Sequence, residues 1–305
     1  FPTRRSSDLL KAGQWVIGML GSFTDADYVA ALEQAGLVGI AIEKLPRKLS
    51  SAQSMDEMTS QNSVMGYKAA ITAADAYGAF LPMMTTAAGT IRPAKALVLG
   101  AGIAGLQAIG TLKRLGAVVT AYDVRPASQG EVESLGAKFL DLGLDFSKGQ
   151  DEGGYARALT PEEQAQQQAA VDEKAAGFDI IITTAKVPGR KPPVLLTAAG
   201  VNGLKRGAVI VDCAASDLGG NVEGSAVGEQ VTEGGVKLIG APYLASGVAT
   251  TASNLLSRNV ADILVHFVRD GKLGQDLTEE LDDALVVAGR AGAPAAAAES
   301  EQSEK

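Results

Sequence analysis

The stretch ALVLGAGIAGLQAIGTLKRLGAVVTAYDVRP, from Ala96 to Pro126, contains the features that decide the fold. An apolar run is followed by a glycine-rich turn, a segment with helical spacing, and a second apolar run that ends at Asp123. Gly100, Gly102 and Gly105 form the pattern G-x-G-x-x-G between strand and helix. The first glycine permits a tight turn, the second lets a pyrophosphate approach the backbone, and the third allows close helix–strand packing. The stretch therefore predicts a dinucleotide site.

The acid at the end of the second strand indicates which dinucleotide binds. Asp123 lies eighteen residues after Gly105, where a carboxylate can accept hydrogen bonds from the adenosine ribose hydroxyls of NAD. Its negative charge would repel the 2′-phosphate of NADP. Arg125, two residues further on, is the one feature that favours NADP instead. The pyrophosphate is expected at the helix N-terminus, where backbone amides attract negative charge.

The other apolar runs predict an α/β fold with a parallel sheet. The runs KFLDL, DIIITTA, AVIVDCA and VKLIGA follow in sequence, and helical or loop segments separate them. Most are short, continuous and β-branched, as strands covered on both faces are. Earlier in the chain, QWVIGML and VGIAIEKL flank a helix that begins at Thr24 or Asp25 and closes at Gly36, which is a parallel β-α-β unit. The pattern predicts doubly wound sheets.

Two longer helical patterns connect these parts into domains. Apolar residues between Ser51 and Phe80 predict a long or broken helix, and the segment Ala252–Val268 predicts a helix that returns to the first domain. We therefore expect two Rossmann-like doubly wound parallel-sheet domains, with the NAD-binding one inserted into the first. The expected ranges are residues 10–50 and 250–288 for the first domain, 51–249 for the NAD-binding domain, and 289–305 for a disordered tail.

Composition and charge exclude several classes of protein. The 305 residues are 46% hydrophobic, enough for real cores, and the net charge of −8 argues against nucleic acid or an anionic lipid surface as partner. No uninterrupted apolar run approaches the roughly 20 residues of a membrane span. Cys213 has no second cysteine to pair with, which fits a reducing compartment such as the cytoplasm.

The first nine residues, FPTRRSSDL, do not continue the pattern of the rest of the chain. They read like the translation of a short sequencing adapter; the alternative is a native disordered or targeting segment, although the apolar segment of a secretory signal is absent from these nine residues. We therefore expect the native N-terminus, and the first strands of the first domain, to be missing.

Several motifs together resemble the NAD(H)-binding component of proton-translocating NAD(P) transhydrogenase. Besides the opening stretch they are AQSMDEMTSQNSVMGYKAA, PMMTTAAGTIRPAK, EVESLGAKFLDL, GGYAR, DIIITTAKVPGRKPPVLLT and GGN, and the resemblance runs from about Lys11 to Val268. It implies a homodimer that holds NAD(H) and passes hydride to NADP+, the oxidised form of the NADP(H) held on a separate component. A membrane-spanning component would couple the transfer to proton movement, so the chain is expected at the inner face of the cell membrane through its partners.

The resemblance also implies which residues form the site. Around the nicotinamide ring the family uses an arginine, a glutamine and an aspartate, which match Arg47, Gln53 and Asp56; Arg47 matches only with a loop one residue longer, and Lys48 could replace it. The alternative is that Ser50, Gln53 and Asp56 merely cap the long helix. The cofactor-binding residues are expected to be Gly100, Gly102, Ile103, Gly105, Asp123, Val124, Arg125, Gly154, Tyr155, Thr184 and Ala185. The resemblance implies that Gly154 and Tyr155 lie in a loop that closes over the cofactor, whereas the residues of that segment by themselves favour an ordinary surface loop.

The main alternative is a soluble amino-acid dehydrogenase of the alanine dehydrogenase type, and a second is a non-catalytic NAD-binding module. Reducing a keto or imino acid requires a group that handles a proton, whereas hydride transfer between two nicotinamide rings does not. The strand WVIGMLGSF lacks the histidine expected of the dehydrogenase, although Asp217 matches an acid that such enzymes place near the substrate. By default Asp217 is a solvated loop acid.

The single histidine and the single cysteine predict neither catalysis nor metal binding. His266 lies on the predicted return helix beside Phe267 and is expected to pack or to face solvent, and Cys213 follows a buried strand as a small apolar residue. Neither has partners at metal-ligand spacing, so no metal is expected.

Overall fold

The computed structural model describes residues 10–144, 159–186 and 191–290. The chain divides into two compact units. Unit 1 contains the residues up to Ser60 and those from Ser253 onward, and unit 2 spans Gln61–Ala252. The predicted cofactor loop at Gly154 and Tyr155, the first nine residues and nearly all of the predicted tail lie outside the described ranges.

The helices and strands, in chain order, have the following bounds. The strands are β1 (Trp15–Gly18), β2 (Val38–Ala41), β3 (Met84–Thr86), β4 (Gly89–Ile91), β5 (Lys95–Leu99), β6 (Val118–Tyr122), β7 (Lys138–Phe139), β8 (Ile180–Thr183), β9 (Val209–Asp212), β10 (Gly228–Val231), β11 (Lys237–Gly240), β12 (Val268–Arg269), β13 (Lys272–Leu273) and β14 (Val286–Ala288). The α-helices are α1 (Ala26–Gln34), α2 (Glu57–Ala76), α3 (Ile103–Arg114), α4 (Ser128–Ser134), α5 (Pro161–Ala175), α6 (Ala198–Asn202), α7 (Ala249–His266) and α8 (Glu280–Leu285).

Unit 2 is built on a seven-stranded sheet with the order β10-β11-β9-β8-β5-β6-β7. All neighbouring pairs are parallel except β10 with β11, which is antiparallel. The sheet confirms the predicted doubly wound fold, because the chain reverses its strand order at β5, where the glycine-rich turn begins. The antiparallel edge strand β10, whose four residues are all exposed, was not predicted.

Both faces of this sheet are covered. Ala96 and Val98 of β5 belong to a core with the small residues of α2 and α3, whereas Leu97 and Leu99 belong to a second core with Val171 of α5. Alternate residues of one strand thus enter different cores, as the period of two requires. The capping box at the start of α5, between Thr160 and Glu163, fixes where that helix begins.

Unit 1 contains a three-stranded sheet with the order β1-β2-β14. The pairing of β1 with β2 is parallel, which confirms the predicted β-α-β unit, and Asp25 caps α1 by accepting a hydrogen bond from Tyr28 N at 2.9 Å. The strand β14 pairs antiparallel to β2 and was not predicted. The helix predicted from Ser51 is broken: residues Ser50–Met55 form a 3₁₀ helix before α2 begins at Glu57.

The helix α7 begins and ends slightly earlier than the predicted segment Ala252–Val268. The sequence predicts one apolar face formed by Leu255, Leu256, Val260, Ile263, Leu264 and Phe267. Ile263 and Phe267 are buried, but Leu256 and Leu264 are 37% and 40% exposed. The predicted apolar face is therefore narrower in the structure. In the described ranges, no helix combines the length and the low polarity that crossing a membrane requires.

Candidate functional site: a glycine-rich turn and a polar loop

The turn between β5 and α3 has a backbone that only glycine fits at two positions. Gly100 has φ of +100°, and a Cβ there would lie 2.7 Å from Thr184 Oγ1. At Gly105, a Cβ would lie 1.8 Å from the carbonyl oxygen of Gly100. The first turn of α3 therefore packs directly on the loop that precedes it, as G-x-G-x-x-G turns require.

Gly102 differs from its two neighbours in the motif. It is the residue before α3, and a Cβ built on it meets no other atom of the described residues within 4 Å. The fold itself therefore does not require glycine at this position. The first backbone N–H groups of α3, from Ile103 onward, have no carbonyl acceptor within the helix. Such free N–H groups at a helix N-terminus bind phosphate.

Asp123 and Arg125 form a bidentate ion pair at the end of β6. Asp123 Oδ1 accepts from Arg125 Nε at 2.9 Å, and Asp123 Oδ2 accepts from Arg125 Nη2 at 3.1 Å. Backbone amides bind the same carboxylate: Ala101 N donates to Oδ2 at 2.7 Å, and Arg125 N donates to Oδ1 at 2.9 Å. The hydrogen bonds to Asp123 raise the pKa of Arg125 further, so the guanidinium is charged at neutral pH.

Thr184 and Ala185, which follow β8, are held against the turn by a buried polar framework. Thr184 Oγ1 donates to the carbonyl oxygen of Gly100 at 2.9 Å. Asn221 Nδ2 donates to the carbonyl oxygens of Ala185 and Pro193, at 2.8 and 2.7 Å. Its side chain thereby joins the two ends of the loop after β8, at the carboxyl edge of the sheet where ligands of this fold bind.

Asp212, at the end of β9, completes this framework. The fully buried carboxylate accepts from Thr183 Oγ1 and Ala214 N at 2.9 Å each, and from Val222 N at 3.2 Å. A Cβ on Gly220 would lie 2.1 Å from Asp212 Oδ2, which explains the glycine. Sequence reasoning missed Asp212 and Asn221; the available signals were an acid that ends an apolar strand and the GGN motif.

The polar loop of unit 1 places Arg47 and Asp56 in direct contact. Asp56 Oδ2 accepts from Arg47 Nε at 2.8 Å and from Thr59 Oγ1 at 2.6 Å, and Oδ1 accepts from Thr59 N at 2.9 Å. Although burial acts to raise it, the pKa of Asp56 lies below its usual value because these donors stabilise the carboxylate. Asp56 therefore caps α2, as the alternative interpretation expects, and at the same time orients Arg47. Gln53 is exposed in the 3₁₀ helix.

Glu57 is a second acid of this loop, next to Asp56, that was not predicted from the sequence. Its side chain is buried, at 8% exposure, and burial together with the nearby Asp56 and Glu43 carboxylates raises its pKa. A carboxyl whose pKa is raised on folding binds a proton more readily in the folded state than in the unfolded state. Its contribution to stability therefore falls as the pH rises through the interval between its unfolded and folded pKa values.

Replacing Glu57 by glutamine is therefore expected to stabilise the protein at neutral pH. We expect Glu57→Gln to raise the unfolding temperature by about 2 to 4 °C near pH 7, where the native carboxyl carries the cost of ionisation. Near about pH 4 the gain should vanish, because the native carboxyl is then protonated. Thermal denaturation at both pH values, with exposed Glu229→Gln as control, checks this. An equal gain at both pH values would contradict the assignment.

The remaining candidates from the sequence lie in structural surroundings. Cys213 is 1% exposed, and burial raises the pKa of its thiol to about 12, so it is not a nucleophile at neutral pH. Asp217 is exposed in the loop after β9. His266 Nε2 lies 2.5 Å from Oδ1 of the fully buried Asp282, and its ring packs edge-on against Phe267.

One group in the described ranges has potential metal ligands close together. The ligand atoms of His266, Glu279 and Asp282 lie within 4.8 Å of one another. Arg269 binds the same acids, with Nη2 at 3.2 Å from Glu279 Oε2 and 3.1 Å from Asp282 Oδ2. Among the described residues, the guanidinium of Arg269 thus supplies positive charge to these carboxylates.

The residues predicted for the site fall into one group in each unit. Arg47, Gln53 and Asp56 belong to unit 1, whereas the described cofactor-binding candidates, from Gly100 to Ala185, belong to unit 2. Val124 packs against the second core of unit 2, beside the Asp123–Arg125 pair. A parallel doubly wound sheet with a glycine-rich turn at the strand-order reversal defines a Rossmann-type α/β protein.

Comparison with known proteins identifies the family within this class. The family described as "Alanine dehydrogenase/PNT, C-terminal domain" matches residues 69–291. The chain is 42% identical to the first part of NAD(P) transhydrogenase subunit alpha from Rickettsia prowazekii, over 88% of this chain and 70% of the relative, and 42% identical to the protein of the same name from Rhodospirillum rubrum, over 91% and 72%. A transhydrogenase structure from Sinorhizobium meliloti superposes with a TM-score of 0.78 at 41% identity, covering 94% of this chain and 77% of that one. The chain belongs to the NAD(P) transhydrogenase subunit alpha family of oxidoreductases.

Proposed function

We propose that unit 2 binds NAD(H), with the pyrophosphate on the turn from Gly100 to Gly105 and the adenosine ribose at Asp123. The observation that carries this proposal is the turn itself. Gly100 and Gly105 permit its tight backbone, and Gly102 leaves room for a pyrophosphate beside the first amides of α3. Thr184 and Ala185 border the same edge of the sheet. Gly154 and Tyr155 are proposed, by resemblance alone, to cover the bound cofactor.

The bound NADH passes its hydride to NADP+ on a separate component, and a membrane-spanning component couples this transfer to proton translocation. In the transfer, the C–H bond at the dihydronicotinamide ring breaks, and the hydride carries two electrons to the nicotinamide ring of NADP+. NADH is oxidised and NADP+ is reduced, with no alkoxide and no proton to supply. Family membership supports these partners, because the relatives are named as alpha subunits. The chain works as a homodimer at the cytoplasmic face of the membrane, held there by its partners.

In this proposal the polar loop of unit 1 orients the nicotinamide ring. The Arg47–Asp56 pair presents a fixed guanidinium, and exposed Gln53 presents an amide that matches the hydrogen-bonding groups of the nicotinamide carboxamide. Ring alignment and proximity supply most of what such a reaction needs from the protein. The other side chains are consistent with a reaction of this kind, because the Cys213 thiol is buried and protonated and His266 is engaged with Asp282.

The second candidate function, an amino-acid dehydrogenase, depends on Asp217. This exposed acid follows β9 at the carboxyl edge of the sheet. In such an enzyme it would donate a proton to the substrate carbonyl or imine. The relatives that cover most of the chain favour transhydrogenase over this alternative.

We expect NADH to bind more tightly than NADPH, because the Asp123 carboxylate accepts ribose hydroxyls and opposes a 2′-phosphate. Asp123→Ala should weaken NADH binding by roughly tenfold, which corresponds to the loss of one hydrogen bond to a charged group. It should also reduce the preference for NADH over NADPH. Calorimetric titration of both nucleotides checks this. Asp75→Ala, which removes an exposed acid of α2 in the same unit, is the matched control and should bind NADH like the native chain. Equal or tighter NADPH binding by the native chain would refute the NAD(H) assignment.

A further inference from the structure

The Asp123 carboxylate already uses its full capacity for hydrogen bonds. Two carboxylate oxygens offer about four acceptor positions. Ala101 N and Arg125 Nη2 occupy Oδ2, while Arg125 N and Arg125 Nε occupy Oδ1. The side chain of Asp123 is 9% exposed and that of Arg125 24%, so water competes weakly for these positions. A ribose cannot bond to Asp123 while all four donors remain.

The four donors are not equally easy to displace. Ala101 N and Arg125 N belong to the backbone of the turn and of the strand end, and the fold fixes them. The guanidinium alone can leave by side-chain rotation, since among the described residues its other hydrogen bond is a longer one, from Arg125 Nη2 to the carbonyl oxygen of Ala101 at 3.3 Å. Its departure frees one acceptor position on each oxygen, and a ribose offers two vicinal hydroxyls.

We propose that the Arg125 guanidinium occupies the ribose-diol positions of Asp123 and must be displaced when NAD(H) binds, which makes Arg125 a determinant of nucleotide affinity and selectivity. This inference rests on the proposed NAD(H) site at Asp123. The two N–H groups of the guanidinium stand where the 2′- and 3′-hydroxyls donate. Binding NADH therefore requires breaking a bidentate ion pair. The free energy of breaking that pair lowers the measured affinity for NADH.

The same pair determines how strongly the site rejects NADPH. With Arg125 in place, Asp123 is neutralised, and the repulsion of a 2′-phosphate is weaker than a lone carboxylate would exert. Arg125 thus lowers the affinity for NADH and softens the discrimination against NADPH at once. A residue that contacted the dinucleotide directly would have the opposite effect on NADH.

The test is Arg125→Met, which removes the charge and keeps a side chain of similar length. We expect NADH to bind about three- to tenfold more tightly, NADPH to bind more weakly, and the ratio between them to widen, as loss of one partly buried ion pair implies. Calorimetry with ADP and 2′-deoxy-ADP tests whether the ribose diol takes the place of the guanidinium. The increase in affinity caused by Arg125→Met should appear with ADP and be smaller with 2′-deoxy-ADP. Exposed Arg114→Met, at the far end of α3, is the matched control.

A double-mutant cycle separates the ion pair from other effects of the substitution. In an Asp123→Asn background, Arg125→Met should bring no gain in NADH affinity, because the pair is already broken. Thermal denaturation of each variant confirms that it is folded. An equal gain in the native and the Asp123→Asn backgrounds would overturn the inference, as would weaker NADH binding by Arg125→Met. If the native chain bound no NADH, the proposed function itself would fail, whereas tight native binding with no gain in the variant would refute only the role of Arg125.

Discussion

Gly105→Ala is expected to abolish the folded state of unit 2 or to destabilise it by at least about 3 kcal/mol, a large effect for one methyl group. The added Cβ would lie 1.8 Å from the carbonyl oxygen and 2.8 Å from the carbonyl carbon of Gly100. Both atoms belong to the backbone of the turn, which the positive φ of Gly100 and the Thr184 hydrogen bond hold in place. No side-chain movement can relieve such a contact. Chemical denaturation monitored by circular dichroism measures the loss.

Gly102→Ala should behave differently from its neighbour in the same motif. Its Cβ meets no described atom within 4 Å, so the fold is expected to remain stable. The methyl group would instead occupy the space through which the pyrophosphate approaches, and NADH affinity should fall by roughly tenfold or more. Gly130→Ala, in α4 and equally open among the described residues, is the control that should leave NADH affinity unchanged and should not lower stability, since alanine favours a helix more than glycine does. Normal NADH binding by a folded Gly102→Ala variant would remove the turn from the proposed site.

The glycine-rich turn could be predicted from the sequence because its requirements are local. The positive φ at Gly100 and the close contact of Gly105 arise within six residues of chain, and the flanking apolar runs indicate strand and helix. The continuous β-branched runs likewise predicted the parallel strands correctly, since a strand covered on both faces has no polar alternation.

Elements that depend on distant partners could not be predicted in this way. The edge strand β10, with four exposed residues, has no apolar signal and exists because β11 offers an unpaired edge. Likewise β14 acquires its antiparallel place beside β2 from more than 200 residues away in the chain. The helical spacing between Ser51 and Phe80 left open whether one long helix or a broken one forms, and the structure has the broken one because the Asp56 cap starts the α-helix at Glu57, after the 3₁₀ helix Ser50–Met55.

The candidate site shows the same division between local and distant causes. Asp123 and Arg125 could be named from their positions after β6, but their bidentate pairing, which saturates the carboxylate, depends on rotamers that a sequence pattern does not contain. Asp212 and Asn221 join segments that are distant in the chain; Asn221, for example, bonds to Pro193 and Ala185, 28 and 36 residues away. Such a buried polar framework becomes visible only when the strands are placed side by side.

We expect Gln53→Ala to slow hydride transfer by roughly 10²-fold while leaving NADH affinity within about twofold. Displacing the nicotinamide ring by about 1 Å can lower the rate of hydride transfer by a factor of that size. The assay combines this chain with an NADP-binding transhydrogenase component and follows reduction of an NADP+ analogue by NADH. Gln34→Ala is the control, since Gln34 is also an exposed glutamine of unit 1. A variant that lost NADH affinity and rate in equal measure would show that Gln53 binds the dinucleotide rather than orienting its ring.

The same assay without the partner decides between the two candidate functions. Hydride transfer between rings requires the reacting carbons to approach within about 3 to 3.5 Å, so NADH held on this chain should stay unoxidised until an NADP-binding component docks. Pyruvate with ammonia should not replace that component, because reducing an imine needs a proton donor. Of the three side chains considered for that role among the described residues, Cys213 is a buried thiol, His266 is bound to Asp282, and Asp217 is a carboxyl exposed to water. Appreciable pyruvate-dependent oxidation of NADH by the chain alone, abolished by Asp217→Asn, would therefore transfer the assignment to an amino-acid dehydrogenase.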